Sequence, residues 1–174
     1  DPGSYSLVSG DPESALLSQE MELQAHNIKT GVKRIFLERR IQPADDPLRH
    51  LSRNRQILGG ASFTGYRHTV HLEDRNPNDI QSEAWSIVQL YPGGRIVVPT
   101  LGTAEYADYF SPAGALVRVE EGALTARITG KQRYKIGLKS SNTIGRAAYL
   151  APLTGDSHVL IVRSFHNDPS LPYA

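Results

Sequence analysis

The stretch Leu17-Ser18-Gln19-Glu20-Met21-Glu22-Leu23-Gln24-Ala25 alternates strictly between two kinds of residue. Leu17, Gln19, Met21, Leu23 and Ala25 fall on one side of an extended chain, and Ser18, Glu20, Glu22 and Gln24 on the other. Successive side chains of a pleated backbone point in opposite directions, so a period of two predicts a strand with one covered and one wet face. The neighbouring segments read the same way. In Thr30 to Ile41, Ile35, Leu37 and Ile41 share a side that Arg39 interrupts, and Phe36 points the other way, as expected of a strand partly covered on both faces. Phe63 to Glu73 places Tyr66, His68, Val70 and Leu72 on one side and Arg67, Thr69 and His71 on the other.

Further along, short apolar runs alternate with turn signals. Ala84 to Leu90, Arg95 to Val98, Ala115 to Val119, Leu124 to Ile128, Tyr134 to Leu138, Ala147 to Leu150 and Val159 to Phe165 read as strands. Gly93-Gly94, Glu121-Gly122, Gly130-Lys131 and Thr154-Gly155-Asp156 punctuate them. One helix is predicted, between Asp46 and Leu58: Asp46 caps it, Pro47 suits its first position, Leu48, Leu51 and Leu58 share a face, and Gly59-Gly60 ends it. The expected fold is therefore all-β, an antiparallel sandwich with one short helix. Leu23, Leu37, Ile87, Val97, Ile136 and Ile161 are its expected core residues.

Composition sets the outer limits. The chain has 174 residues, 39% hydrophobic and 21% charged, which is ordinary for a globular domain. No apolar run approaches the length of a membrane span, and no secretory leader opens the sequence. Without cysteine there is neither a disulfide framework nor a thiolate zinc site. A net charge of +1 argues against a nucleic-acid partner. Residues 29 to 55 nevertheless hold eight basic residues against three acidic ones, a bias that suits either an anionic partner or a solvated face whose cations pair with acids elsewhere. No repeat, low-complexity tract or linker divides residues 1–174, which read as one domain or one piece of a domain.

Several familiar chemistries are missing. There is no Gly-x-Ser-x-Gly, P-loop or dinucleotide fingerprint, so no cofactor is expected. His68 and His71 lie three apart, which on a strand sends them to opposite faces and disfavours a shared metal. Asp74-x-Asn76-x-Asn78 resembles the start of a calcium loop, but Asp79 stands where the turn glycine belongs and Trp85 where the closing glutamate belongs. An Asx-type turn is the expectation there, with no metal.

The stretch Trp85 to Pro99, Asp108-Tyr109-Phe110, and Arg133 with Lys135-Ile136-Gly137, taken in that order, resemble the middle of an uncharacterised bacterial family of the galactose-mutarotase-like superfamily. Tyr5 to Ser9, Met21 to Leu23, Phe36 to Ile41, Gly65-Tyr66, Ser86-Ile87 and Val97-Val98-Pro99 match successive family segments, so the likeness runs almost end to end. The sequence departs from the pattern at Val70 to Asp74, where the family carries Asn-Thr-Leu-Thr-Asn, and at Tyr106-Ala107, which replaces Asn-Asp before the Asp-Tyr-Phe core. The resemblance implies a β-supersandwich of which this chain is an internal fragment, with open sheet edges available for self-association. It also implies a carbohydrate partner and favours a periplasmic or extracellular site.

The resemblance leaves the reaction open. Mutarotation needs a base for the anomeric hydroxyl and an acid for the ring oxygen. In true aldose epimerases a histidine and a carboxylate serve, which makes His68, His71, Asp108 and Glu105 the catalytic candidates. Asp108, Tyr109, Arg133 and Lys135 are the expected sugar-binding residues, because pyranose recognition combines an aromatic platform with fixed donors and acceptors. Three readings follow: a carbohydrate-active mutarotase-like protein, a noncatalytic sugar-recognition module, or a structural β-domain with a basic face. At the residue level, Arg133 and Lys135 either line a sugar cleft or pair with surface acids while Tyr109 packs into the sheet, and Trp85 is expected in the core.

Overall fold

A computed structural model of the chain describes residues 4–25, 29–48, 56, 59–84 and 87–170. These residues form antiparallel β-structure, as the alternating pattern predicts, in two compact units, Asp1–Ile87 and Val88–Ala174.

The first unit is a four-stranded antiparallel sheet of β1 (Ser6–Asp11), β2 (Ser14–Ala25), β3 (Gly31–Pro43) and β4 (Tyr66–Asp74), in chain order. The β2–β3 ladder runs without a break from Ala15 opposite Ile41 to Ala25 opposite Gly31. Directly opposed residues share a face, so Leu17, Arg39 and Val70 form one row, Gln19, Leu37 and Leu72 the next, and Met21, Ile35 and Asp74 a third. Ile35, Leu37, Gln19 and Lys33 are the buried members of this face. Arg39, which breaks the apolar pattern of β3, stacks its guanidinium 4.9 Å from the Tyr5 ring centroid. On the opposite face Arg75 covers Phe36 at 4.8 Å and pairs with Glu73.

Lys33 is only 3% exposed. A buried ammonium needs an anion and hydrogen-bond acceptors, and both come from the end of β4 and the loop after it: Asp74 forms an ion pair with Lys33, and Asn78 Oδ1 accepts from its Nζ at 3.0 Å. The same loop continues β4's pairing with side chains. Arg75 N donates to Arg34 O, Asn76 Oδ1 accepts from Arg34 N, and Asn76 Nδ2 donates to Val32 O at 3.1 Å. Asp74, Asn76 and Asn78 thus spend their oxygens on protein donors, as the Asx-turn reading requires.

The second unit has a four-stranded sheet ordered β10-β9-β5-β7 and a two-stranded ribbon β6–β8. The strands are β5 (Arg95–Thr103), β6 (Tyr106–Asp108), β7 (Val117–Arg127), β8 (Ile136–Leu138), β9 (Arg146–Pro152) and β10 (His158–Ser164). One face is the core: Val98 opposes Leu124, Ile96 opposes both Ala126 and Tyr149, and Leu124 is fully buried. Ala113, Val117, Leu124 and Ala126 form its centre, with Tyr106, Ile136 and Leu138 of the ribbon packed against them. Tyr149 passes so close under the β5 turn that its hydroxyl accepts from Gly94 N at 3.1 Å, and a Cβ on Gly94 would stand 2.4 Å from its ring.

Some expectations are corrected. Ala84 to Leu90 forms no strand at its described residues, and Ile87 is 65% exposed: the run marks the boundary between the two units, where a short apolar stretch finds no ladder. Leu23 and Ile161 are also exposed, at 43% and 39%, because each sits toward the end or edge of its sheet. Leu37 is buried, while Val97 and Ile136 are half-buried. The strands expected on either side of Glu121-Gly122 are one continuous β7, since Gly122 takes a φ of 82° inside the strand rather than reversing the chain. The expected helix within Asp46 to Leu58 falls largely outside the described residues; at its start Leu48 N donates to Asp46 Oδ1 at 2.9 Å. Trp85 also lies outside them.

Candidate functional site

The β6–β8 ribbon carries the sequence motifs expected to bind sugar. Its ladder sets Tyr106 opposite Leu138, Ala107 opposite Gly137 and Asp108 opposite Ile136, and Tyr109 N continues it by donating to Lys135 O at 2.9 Å. Alternation therefore divides the motif between two sides. Tyr106, Asp108, Ile136 and Leu138 share the side that packs on the core, whereas Ala107, Tyr109, Lys135 and Gly137 share the outer side.

On the outer side, the Tyr109 ring lies over Gly137. A Cβ on Gly137 would stand 2.6 Å from Tyr109 Cε2 and 3.0 Å from its hydroxyl, so only glycine lets the ring rest against the ribbon. Lys135 Nζ sits 4.9 Å from the Tyr109 ring centroid, and the Arg133 guanidinium 4.6 Å from that of Phe110. Both rings stay open to solvent, at 60% and 51% exposure. Among the described residues no carboxylate lies within ion-pair distance of Arg133 or Lys135. The reading in which these two cations pair with surface acids and Tyr109 packs into the sheet is thus not the one the geometry takes.

The segment that presents the cations is anchored on both sides of Arg133. Gln132 Nε2 donates to Pro112 O at 3.0 Å, and the Tyr134 hydroxyl donates to Arg127 O at 2.8 Å. Burial pushes the Tyr134 phenol above its ordinary value of 10.0, since the charged form is the one that loses solvation. Gln132 and Tyr134 thus fasten to the body of the unit, and Arg133 and Lys135 stack on the exposed rings.

Asp108 is not part of that outer surface. Its Oδ1 accepts from Ala113 N at 3.1 Å, closing the turn that leads into the buried Ala113. The structure therefore pairs Lys135 with Tyr109 and Arg133 with Phe110, and directs Asp108 to the other side of the ribbon. His68 and His71 belong to the first unit, where they stand opposite Ile41 and Glu38 on opposite faces of β4. The described residues contain no group of three or more histidine or acidic side chains placed to hold a metal ion. Three of the eight basic residues between 29 and 55 pair with acids: Lys29 with Asp79, Lys33 with Asp74 and Arg34 with Glu22. Arg49, Arg53 and Arg55 lie outside the described residues.

From sequence Phe110 is either part of a sugar-capturing Asp-Tyr-Phe loop or a core residue, and at 51% exposure it is not core; Gly137 is legible only as part of its motif. Two adjacent aromatics and two cations spaced by one residue were the available signal; the ladder register that makes them meet was not. No family model, no curated protein and no solved structure matches the chain. Among the described residues, no helix is long and apolar enough to cross a membrane.

Proposed function

We propose that the chain is a carbohydrate-binding β-domain, mutarotase-like in the sense of its sequence resemblance, and that it recognises acidic sugars through Tyr109, Phe110, Arg133 and Lys135. The observation that carries this reading is two sequence-adjacent, exposed aromatic rings, each holding a cation that has no acid partner among the described residues. The apolar face of a pyranose stacks on an aromatic ring, and a uronate carboxylate matches a guanidinium or ammonium beside it. An exposed cation–π contact is worth about 0.5–1 kcal/mol, so either cation can turn from its ring to a carboxylate at small cost.

Recognition fits this geometry better than turnover. Asp108, one of the catalytic candidates, is occupied in closing a turn on the far side of the ribbon, and His68 and His71 leave β4 on opposite sides. Calorimetric titration with an acidic and a neutral oligosaccharide of equal length tests the proposal. Saturable binding of the acidic one is expected, weakened at least tenfold by Tyr109→Ala; Lys135→Gln should narrow the preference for the acidic ligand. Equal affinity in folded Tyr109→Ala contradicts the proposal. If the protein accelerates the loss of optical rotation of a pure α-anomer, the binding-only reading falls and the mutarotase-like enzyme takes its place.

A further inference from the structure

The open face of the second unit's sheet carries a feature that sugar recognition does not use. Arg95 on β5 and Arg127 on β7 are direct cross-strand partners, and Arg95 also opposes Leu150 on β9. Opposed residues project from the same face with their Cβ atoms about 4.5–5.5 Å apart, a placement that is destabilising for like charges. Both arginines are exposed, and among the described residues neither has a carboxylate within ion-pair distance. The structure therefore maintains an uncompensated pair of guanidiniums.

The pair lines one open depression together with Gly93, Thr129, Pro152 and His158. Its floor is well tied. Gly93 N donates to Ile128 O at 2.7 Å, Ile128 N to Gly94 O at 2.9 Å, and Gly94 N to the Tyr149 hydroxyl, so the ends of both strands are clamped next to the arginines. His158, opposite Pro152 at the start of β10, adds a third nitrogen-bearing side chain to the wall.

We infer that Arg95 and Arg127 form a binding site for a tetrahedral oxyanion, a phosphate or sulfate ester group, in this depression. The chemistry selects that class. One guanidinium fork is satisfied by the two oxygens of a carboxylate, whereas two forks side by side offer donors for three or four oxygens and charge for a dianion. Such a ligand removes the repulsion between the arginines, which gives it a reason to bind beyond general attraction. The site shares no residue with the Tyr109 surface and stands or falls independently of it.

Titrating the isotope-labelled protein with inorganic phosphate and, separately, inorganic sulfate at constant ionic strength, followed by NMR, tests the site. Saturable shifts are expected at Arg95, Arg127 and Thr129, including the arginine Nε signals, with affinity at least tenfold weaker in Arg95→Gln and Arg127→Gln. Arg127→Lys keeps the charge but loses the fork and should also bind more weakly. Tighter binding of phosphate assigns phosphate esters, and tighter binding of sulfate assigns sulfate esters. Thermal melts give a second readout. Without added oxyanion, Arg127→Gln should melt above the wild type, and the wild type should gain more from phosphate than the variant does, which separates binding from the general salt effect. Shifts that grow linearly with any salt, chloride included, or that are unchanged in the glutamine variants, overturn the inference.

Discussion

Replacing Asp74 with alanine should destabilise the first unit far more than its position at a strand end implies. Lys33 is 3% exposed and its ammonium has two polar contacts, the Asp74 carboxylate and Asn78 Oδ1. Removing one partner of a fully buried pair costs about 3–5 kcal/mol, most of it the penalty of the charge left behind. The Asp74 side chain is 32% exposed, so water can enter the space it leaves and the cost falls to about 2–3 kcal/mol. Asp74 Oδ1 also accepts from Asn76 N at 3.1 Å, adding about 1 kcal/mol from a lost turn contact. The double variant Lys33→Met, Asp74→Asn should recover most of this, because an apolar side chain of similar length fills the site without needing an anion. Urea denaturation followed by circular dichroism, with amide exchange on β3 to locate the effect, measures both. A cost below about 0.5 kcal/mol for Asp74→Ala, or a double variant no more stable than the single one, would show that Lys33 escapes to solvent and refute the reasoning.

Three further outcomes are expected. Leu124→Ala removes three carbons from a fully buried site and should cost the second unit about 3–5 kcal/mol in chemical denaturation. Gly137→Ala should displace the Tyr109 ring, seen as loss of its contacts to Lys135 in NMR, while leaving the core signals of Leu124 and Val117 in place. Asp168 is held below the ordinary carboxylate value of 3.8, first by the Ser170 hydroxyl, then by the Ser170 amide and the charge of His166. Its folded pKa being lowered, these contacts stabilise the turn above the ordinary value and are lost as pH falls through the lowered one; a carboxyl NMR titration should show a midpoint below 3.8 that rises in Ser170→Ala.

How far the sequence could be read follows from the range of each interaction. The alternation of Leu17 to Ala25 is local, and it identified β2 and the side it turns inward. The β-branched and apolar runs at Arg95 to Val98 and Val159 to Phe165 likewise named β5 and β10. Where a partner lies far along the chain, pattern alone was insufficient. Nothing near Lys33 announces that Asp74 and Asn78 will enclose it. Arg39 looked like an interruption of an apolar face because its stacking partner, Tyr5, belongs two strands away. Gly122 read as a turn, since a glycine after two glutamates punctuates a strand more often than it bends one, yet β7 runs through it. At the candidate site, residue types were legible and sides were not. Asp108 and Tyr109 are adjacent in sequence and therefore leave the ribbon in opposite directions, and only the ladder with Gly137 and Ile136 shows which of them shares the side of Gly137.

The central claim is that the outer surface of the β6–β8 ribbon holds an acidic sugar. Mapping the backbone amide shifts caused by a short oligouronate measures it most directly. Saturable changes confined to Ala107 to Phe110 and Arg133 to Gly137 are expected, abolished by Tyr109→Ala in a protein that keeps its fold. Saturable changes elsewhere with this ribbon silent, or no saturable change at all, would contradict the claim.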